Sequence, residues 1–242
     1  MTEEVFDGRV AVITGSTRGI GRAVAEALVQ RGTHVVVSSR RTQAVAETAE
    51  ALAAVGPGRV LAHPCDVRDP GACHALIQAA VDEFGVLDIL VNNAGLGRFA
   101  KIQEMQAESW EQQIRTNLDG VFYCSKAAIP HLQKQEGGWI FNIGSLAGRN
   151  AFSGGVAYNA SKWGLLGMTE AMMLDLRHEG IRVSCIMPGS VNTHFFEGGP
   201  DPFDDWKLQS TDIARVITDL MAFPDRALPS KVEIRPSRPP QK

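Results

Sequence analysis

The chain has 242 residues, of which 44% are hydrophobic and 21% charged, and this composition excludes a disordered or collagen-like protein. Its 24 basic and 27 acidic residues give a net charge of −3, without the basic excess expected of a nucleic-acid binder or a polybasic membrane anchor. No apolar run reaches the roughly 18 residues needed to span a bilayer. An acidic N-terminus and four cysteines without a C-x-x-C pair favour a cytoplasmic protein with no disulfide framework and no metal site.

Short apolar runs alternate with segments of helical periodicity along the whole chain. We predict strands at 9–14, 34–38, 59–64, 87–91, 139–143, 181–187 and 232–235, and helices at 20–31, 42–55, from Asp69-Pro70 onward, 108–135 (with a bend near Pro130), 158–177 and 212–222. Continuous apolar strands separated by long helices indicate parallel pairing with both faces covered. The sequence therefore predicts one α/β domain over 1–242, a doubly wound Rossmann fold with a seven-stranded, mostly parallel sheet and helices on both faces. A Gly- and Pro-rich loop at 190–207 is expected on the substrate side.

The first strand runs into a glycine-rich turn that opens a helix, a context that favours a pyrophosphate, because free N–H groups and the helix dipole point at it. Gly15 permits the tight turn, Gly19 lets the backbone approach phosphates, and Gly21 allows close helix packing. The spacing G-x-x-x-G-x-G differs from the common G-x-G-x-x-G fingerprint, so a turn needed only for packing stays an alternative. The predicted cofactor-binding segment is Gly15, Ser16, Thr17, Arg18, Gly19, Ile20 and Gly21.

The residues that follow the second predicted strand favour NADP over NAD. No acidic residue occurs between Ala27 and Ala46, where a carboxylate that binds the adenosine ribose is usual. Instead the chain reads Ser39-Arg40-Arg41, and guanidinium groups bind phosphate oxygens in pairs. These three residues therefore predict a site for the 2′-phosphate of NADP. The alternative is that the arginines are ordinary solvated surface.

Tyr158 and Lys162 lie four residues apart and so share one face of a predicted helix. An ammonium about 4 Å from a phenol, at an effective dielectric constant of about 20, supplies about 4 kcal/mol. That is enough to lower the pKa of the phenol from about 10 to about 7, and we predict this effect of Lys162 on Tyr158. Ser145 follows the fifth predicted strand, where open α/β sheets place their ligands, although a turn or cap role is the alternative for a serine there.

Together these motifs resemble the short-chain dehydrogenase/reductase family over nearly the whole chain. The matching residues are the glycine-rich turn Thr14–Gly21, Asp66-Val67, Asn92-Asn93-Ala94-Gly95, Asn117, Ser145, Tyr158-x-x-x-Lys162, Pro188-Gly189 and Thr193. Each motif is weak alone, and their joint order and spacing are specific. The segment 232–240, with three prolines, departs from the Gly-rich ending of many family members.

The resemblance implies a role for each catalytic residue. Tyr158 is the general acid in reduction, and Ser145 hydrogen-bonds the substrate carbonyl. Lys162 lowers the pKa of Tyr158 and binds the nicotinamide ribose, while Asn117 holds a water of a proton relay. For Asn117 alone, a buried polar residue that bonds backbone is the alternative.

The resemblance also implies the rest of the cofactor site. Asp66 meets the adenine, Asn93 the ribose region and Thr193 the nicotinamide carboxamide, although Asn92 and Asn93 have turn stabilisation as an alternative role. Arg18 and Arg40 occupy positions that go with NADP preference. The remaining implied cofactor contacts are Val67, Ala94, Gly95, Pro188, Gly189 and Val191.

The motif set looks most like 3-oxoacyl-carrier-protein reductases and generic carbonyl reductases, which predicts NADPH-dependent reduction of a small-molecule or acyl-thioester carbonyl. One alternative is an NAD-dependent secondary-alcohol dehydrogenase with the same residues. Another is a non-catalytic nucleotide-sensing protein, which would have no reason to keep Ser145, Tyr158 and Lys162 together. Related proteins pair the helices matching 108–135 and 158–177 into homodimers or tetramers. The aromatic and aliphatic residues Leu96, Phe99, Phe195 and Phe196 suggest a partly apolar pocket.

Overall fold

A single sheet organises the chain in the computed structural model, which describes residues 5–135, 137–195, 199–201 and 203–240. Its strands are β1 (Val10–Thr14), β2 (His34–Ser38), β3 (Val60–Ala62), β4 (Ile89–Asn92), β5 (Gly138–Ile143), β6 (Ile181–Pro188) and β7 (Lys231–Ile234). They lie in the order β3-β2-β1-β4-β5-β6-β7, and all neighbouring pairs are parallel. The doubly wound fold is confirmed, and the sheet is parallel throughout rather than mostly so.

Helices cover both faces of this sheet. They are α1 (Gly19–Val29), α2 (Thr42–Ala53), α3 (Pro70–Phe84), α4 (Ala107–Ile114), α5 (Gly120–Lys134), α6 (Val156–Leu176) and α7 (Ser210–Met221). Within the described part of the chain, no helix is long and apolar enough to cross a membrane, the 21-residue α6 included.

Alternate strand residues pack into two separate hydrophobic cores, one on each face of the sheet. In β1, Ala11 and Ile13 join a cluster with α1 and α7, whereas Val10 and Val12 join a second cluster with α3 and α5. Because successive strand side chains point to opposite faces, a strand covered on both sides must be apolar at every position. This explains why the strands appear in the sequence as unbroken apolar runs.

The predicted helix at 108–135 is interrupted upstream of Pro130, and the bend expected near Pro130 stays a prediction. Helix α5 continues through Pro130 to Lys134, whereas the departure from α-helical geometry is a π-helical segment, Arg115–Asp119, between α4 and α5. Asn117 lies in this segment and is fully buried. π-Helical turns insert a residue into a helix and often occur at functional sites.

The strand order reverses beside β1. The chain moves outward from β1 to β2 and β3, then returns to place β4 on the other side of β1. In open α/β sheets a crevice forms at the carboxyl ends of the strands at such a reversal, and ligands bind there.

Candidate active site

A cavity of about 1360 Å³ lies at the carboxyl ends of the strands. It is lined by the glycine-rich turn after β1 and by the segments that follow β2, β4, β5 and β6. All the residues that the sequence predicted for catalysis or cofactor binding line this cavity, except Ser16, Gly21 and Asn117. The cavity has room for a dinucleotide and a small substrate together, since ordinary ligand pockets measure about 300–1,000 Å³.

The glycine-rich turn packs directly against the loop after β4. Gly15 has a φ of 65°, and a Cβ there would lie 2.9 Å from the Cα of Ala94. A Cβ on Gly21 would lie 2.4 Å from Nδ2 of Asn93. Both contacts are too short for a side chain, so glycine is required for the close approach of the two segments. Gly21 thus has the packing role expected from the sequence and does not face the cavity.

Ser16 faces away from the cavity, contrary to its prediction as a cofactor residue. Its hydroxyl donates to the carbonyl oxygen of Ile13 at 2.8 Å and accepts from the N–H of Ser38 at 2.8 Å. Its own N–H bonds the carbonyl oxygen of Ser38 at 2.9 Å. Ser16 therefore ties the turn to the end of β2 with groups that are no longer available to a ligand.

Asn93 holds the same turn from the other side. Its Nδ2 donates to the carbonyl oxygens of Thr14 and Gly15 at 2.9 and 3.0 Å. Asn92 points into the protein, where its amide bonds Ser125 and Asn142. Turn stabilisation, the alternative role for both asparagines, matches these bonds better than direct ribose contact through their amides.

At the adenosine end of the cavity the polar groups suit an anion. Arg18, Arg40 and Arg41 are exposed and line the cavity, and none forms an ion pair within the described residues. The buried Oγ of Ser39 has no hydrogen-bond partner in the same set of residues. A buried hydroxyl without a partner is costly, and a phosphate would satisfy it. These residues therefore fit the 2′-phosphate of NADP.

Asp66 lines the cavity beside this group, and its contact with the adenine stays a prediction. Its carboxylate accepts from Nε of Arg68 at 2.9 Å. This hydrogen bond is the main reason that the pKa of Asp66 lies below its usual value. Arg68 was not anticipated from the sequence, where it is one of many arginines. It fixes the ionised carboxylate in the cavity wall, next to Val67.

The side chains of Ser145 and Tyr158 both line the cavity, and the Ser145 hydroxyl acts to lower the pKa of the phenol. Ser145 Oγ also accepts from the N–H of Ala147 at 3.1 Å, so it caps the 3₁₀ turn Leu146–Gly148 that follows β5. The cap that the sequence offered as an alternative role for Ser145 is therefore present, and its catalytic role stays a prediction. Two donors converge at one point, which suits stabilisation of a developing alkoxide.

The predicted lowering of the Tyr158 pKa is wrong for this geometry. Burial raises the pKa of Tyr158 to about 12, and the nearby Ser145 hydroxyl offsets this only in part. The ammonium of Lys162 lies 5.8 Å from the centre of the Tyr158 ring and bonds the carbonyl oxygen of Ile143 instead. Desolvation of the phenol, which the sequence does not reveal, outweighs the attraction of the charge.

The pKa of Lys162 is itself strongly shifted. Its side chain is nearly buried, and desolvation lowers its pKa to about 8, with a small opposing effect from the nearby Cys185. An amine with this pKa still carries its charge at neutral pH. Lys162 can therefore stabilise negative charge near Tyr158 at neutral pH but not in alkaline solution.

Asn117 supports the loop after β4 from inside the π-helical segment. Its Oδ1 accepts from the N–H of Leu96 at 2.9 Å, and its Nδ2 donates to the carbonyl oxygen of Leu96 at 2.8 Å and to Oγ of Ser161 at 3.0 Å. Ser161 in turn donates to the carbonyl oxygen of Tyr158. This matches the backbone-bonding alternative given for Asn117, and the water-holding role stays a prediction.

Asn159 was missed by the sequence reasoning and joins the two catalytic segments. Its Nδ2 donates to the carbonyl oxygens of Ala147 and Asn150 at 2.7 and 3.2 Å, so α6 is tied to the loop that carries Ser145. The sequence offered one indication of this role, since Asn159 is a polar residue between Tyr158 and Lys162 on the predicted helix.

The loop after β6 reaches back toward the glycine-rich turn. Pro188, Gly189, Val191 and Thr193 line the cavity, and a Cβ on Gly19 would lie 3.5 Å from Thr193. Phe99 and Phe195 also line it, as predicted, and Phe196 lies outside the described residues. The loop therefore covers the part of the cavity between the turn and the catalytic residues.

The four cysteines are free and buried. Three of them, Cys65, Cys73 and Cys124, come together. A hydrogen bond with Cys73, and then burial, raises the pKa of Cys65, whereas a hydrogen bond with Cys124, and then burial, raises that of Cys73. Within the described residues no group of three or more His, Cys, Asp or Glu side chains is arranged to hold a metal ion.

Comparison with known proteins agrees with this geometry. The model of the short chain dehydrogenase family matches residues 9–200. The chain is 36% identical to the 3-oxoacyl-acyl-carrier-protein reductase FabG of Vibrio cholerae over 188 residues, which cover 78% of this chain and 75% of the relative. It is 32% identical to an uncharacterized oxidoreductase of Staphylococcus epidermidis over 94% of this chain and 97% of the relative.

Two solved structures are also similar. An alcohol dehydrogenase from Thermococcus sibiricus, complexed with 5-hydroxy-NADP, superimposes with a TM-score of 0.90 at 27% identity, over 97% of this chain and 99% of the other. A metagenomic short-chain oxidoreductase in complex with NADP superimposes with a TM-score of 0.85 at 33% identity, over 97% of this chain and 100% of the other.

Proposed function

Since this chain belongs to the short-chain dehydrogenase family, we propose that it uses NADPH to reduce the carbonyl group of a ketone, an aldehyde or an acyl thioester. The observation that carries the proposal is that Ser145, Tyr158 and Lys162 line one cavity, with the Lys162 ammonium 5.8 Å from the centre of the Tyr158 ring. When bound, NADPH supplies the hydride.

Tyr158 acts as the proton donor. Its pKa of about 12 keeps it protonated at neutral pH, and an alkoxide is far more basic than a phenolate, so transfer of the phenol proton to the reduced carbonyl oxygen is downhill. The O–H bond of Tyr158 breaks, the new alcohol O–H bond forms, and a proton from solvent restores the phenol. A raised pKa suits reduction better than oxidation, which needs Tyr158 as a base.

Ser145 and Lys162 stabilise the charge that moves during this step. Ser145 donates its hydroxyl proton to the carbonyl oxygen as negative charge develops there. Lys162 stabilises the phenolate that Tyr158 becomes for a moment, because its ammonium lies over the ring. In the proposed complex, Lys162 also binds the nicotinamide ribose.

NADPH is proposed rather than NADH because Arg18, Arg40 and Arg41 line the cavity together with Ser39, whose hydroxyl has no hydrogen-bond partner among the described residues. The two similar structures with NADP or its 5-hydroxy derivative support the choice. The loop at 190–207 is proposed to border the substrate. We further propose a cytoplasmic location, in line with the free cysteines.

We also propose that the chain forms a homodimer or homotetramer through α4, α5 and α6. Large apolar side chains are exposed on these helices, namely Trp110, Phe122, Trp163 and Leu174. Exposed apolar groups of this size on adjacent helices are typical of a surface covered by another chain. A monomeric mass by light scattering at micromolar concentration would contradict this.

NADPH oxidation, followed by absorbance with a panel of ketones, aldehydes, quinones and acyl thioesters, tests the proposed reaction. We expect turnover with at least one class and a clear preference for NADPH over NADH. Binding of NADPH without reduction of any carbonyl class would support the nucleotide-sensing alternative instead.

A further inference from the structure

We propose that the substrate end of the cavity selects compounds in which the reacting carbonyl is attached to a flat aromatic ring. The inference rests on the proposed function, since it takes Tyr158 as the residue that meets the carbonyl oxygen. It concerns the walls around that residue, which neither the family match nor the relatives' names describe.

Two phenylalanine rings flank the ring of Tyr158. The centre of Phe99 lies 5.7 Å from that of Tyr158 at an interplanar angle of 78°, and the centre of Phe195 lies 5.6 Å away at 57°. Phe152 extends this wall, 5.5 Å from Phe99. All four rings line the cavity. A carbonyl bonded to Tyr158 therefore carries its substituent among aromatic faces and edges.

Gly97 brings the two flanking rings together. A Cβ at this position would lie 2.7 Å from Cε1 of Phe195 and 2.9 Å from Cζ of Phe99, so both rings use the space that a side chain would occupy. The rings come from separate loops, one after β4 and one after β6, and they meet over this glycine. The packing of both rings over Gly97 therefore fixes their positions beside Tyr158.

The C-terminal segment adds another apolar wall. Pro236, Pro239 and Pro240 line the same cavity, and a Cβ on Gly189 would lie 3.1 Å from Pro236. These residues lie beyond the region matched by the family model, which ends at residue 200. Flat, rigid proline rings and aromatic rings together favour a flat apolar ligand.

Arg235, which lines the cavity next to Pro236, is already bonded to a carboxylate, since it donates to Glu233 at 2.8 Å. An anionic substrate would have to compete with this bond. The site therefore offers more to an aromatic substituent than to a charged one.

A matched pair of diketones tests the inference. We expect kcat/KM for 1-phenyl-1,2-propanedione to exceed that for 2,3-hexanedione by about tenfold or more, since edge and offset contacts between rings favour the aryl group beyond its area. The dissociation constants of both diketones from the enzyme with NADP⁺, measured by calorimetry, should differ in the same direction. This second readout requires no turnover.

Variants separate aromatic recognition from plain hydrophobicity. Phe99→Leu and Phe195→Leu keep an apolar wall but remove a ring, and we expect each to reduce the aryl preference to about threefold or less while the alkyl diketone is little affected. Phe223→Leu, at an exposed position that does not line the cavity, is the control and should keep the full preference. Thermal unfolding would establish that all three variants fold.

The possible outcomes are distinct. Equal or better use of the alkyl diketone, or an aryl preference that survives both ring deletions, overturns the inference. Reduction of aliphatic acyl thioesters with no use of the aryl diketone also overturns it, and leaves the proposed reductase function standing. Absence of NADPH oxidation with every carbonyl class would reject both.

Discussion

The ammonium of Lys162 donates a 2.7 Å hydrogen bond to the carbonyl oxygen of Ile143, the last residue of β5 and two positions before Ser145. This bond fastens the catalytic helix α6 to the strand that presents Ser145. It also holds a positive charge in a nearly buried position, where desolvation lowers its pKa to about 8. The orientation of the site and its response to pH therefore depend on the same atom.

The rate of carbonyl reduction should fall as pH rises through about 8. Above this value Lys162 loses its charge, and with it the stabilisation of the Tyr158 phenolate, whereas Tyr158 itself stays protonated up to about 12. We expect kcat/KM, measured from about pH 6 to 10, to show one descending limb near 8. A Lys134→Met control, at an exposed position, should give the same limb, and a flat profile would contradict the assignment.

The free energy of unfolding should also depend on pH through Lys162. Its pKa is about 8 in the folded chain and 10.5 in an unfolded one, so between these values the unfolded state binds more protons. Stability from this group therefore rises with pH. Relative to Lys162→Met, the wild-type free energy of unfolding should gain about 2–3 kcal/mol between about pH 7 and 10, measured by urea denaturation. A constant difference would show that the lysine is not desolvated.

Removal of the proton donor should abolish turnover. We expect Tyr158→Phe to lower kcat by more than about 1,000-fold and Ser145→Ala by about 100- to 1,000-fold, because each removes a hydroxyl from the developing alkoxide. The dissociation constant of NADPH, measured by fluorescence, should change little in either variant. Tyr123→Phe is the control, since Tyr123 does not line the cavity and its loss should leave kcat unchanged.

Coenzyme preference should depend on Arg40. Arg40→Ser removes a charge-assisted bond to the 2′-phosphate, so kcat/KM for NADPH should fall about 10- to 100-fold while that for NADH stays within about twofold. Arg226→Ser, an exposed arginine that does not line the cavity, provides the matched control. If the wild-type enzyme used NADH better than NADPH, the role assigned to Arg40 would be wrong.

Asn159 should act as a positioning residue. Asn159→Ala leaves the carbonyl oxygens of Ala147 and Asn150 without their donor, so we expect a loss of about 2 kcal/mol in the free energy of unfolding. The loop with Ser145 would loosen, so kcat should fall while KM for NADPH is preserved. A matched Gln43→Ala control, at an exposed position of α2, should change neither. Loss of stability with unchanged kcat would assign Asn159 a structural role alone.

Much of the fold could be predicted from local patterns. The helix cap at Asp69, with Pro70 in the first turn, occurs where expected, and the Asp69 carboxylate bonds the N–H groups of Gly71 and Ala72. Strand boundaries agree within a few residues. The π-helical segment Arg115–Asp119 was not predicted, because the bonds of Asn117 within it reach a loop that is distant in sequence.

The site could be predicted in composition more than in geometry. Ser145, Tyr158 and Lys162 line one cavity as expected. Ser16, which was predicted to bind the cofactor, does not line this cavity, because its side chain bonds Ile13 and Ser38 on two different strands. The sign of the Tyr158 pKa shift was wrong because an estimate from the Lys162 charge alone omits desolvation.

The sequence by itself determined the alternation of strands and helices, the glycine-rich turn and the Tyr158–Lys162 spacing, because each depends on residues within a few positions of one another. Only the tertiary structure decided which polar groups are buried and which atoms they bond. Phe99 and Phe195 are about a hundred positions apart and meet at Tyr158 only after the loops beyond β4 and β6 have folded together. Desolvation and contacts between distant segments belong to the folded chain, and local periodicity does not encode them.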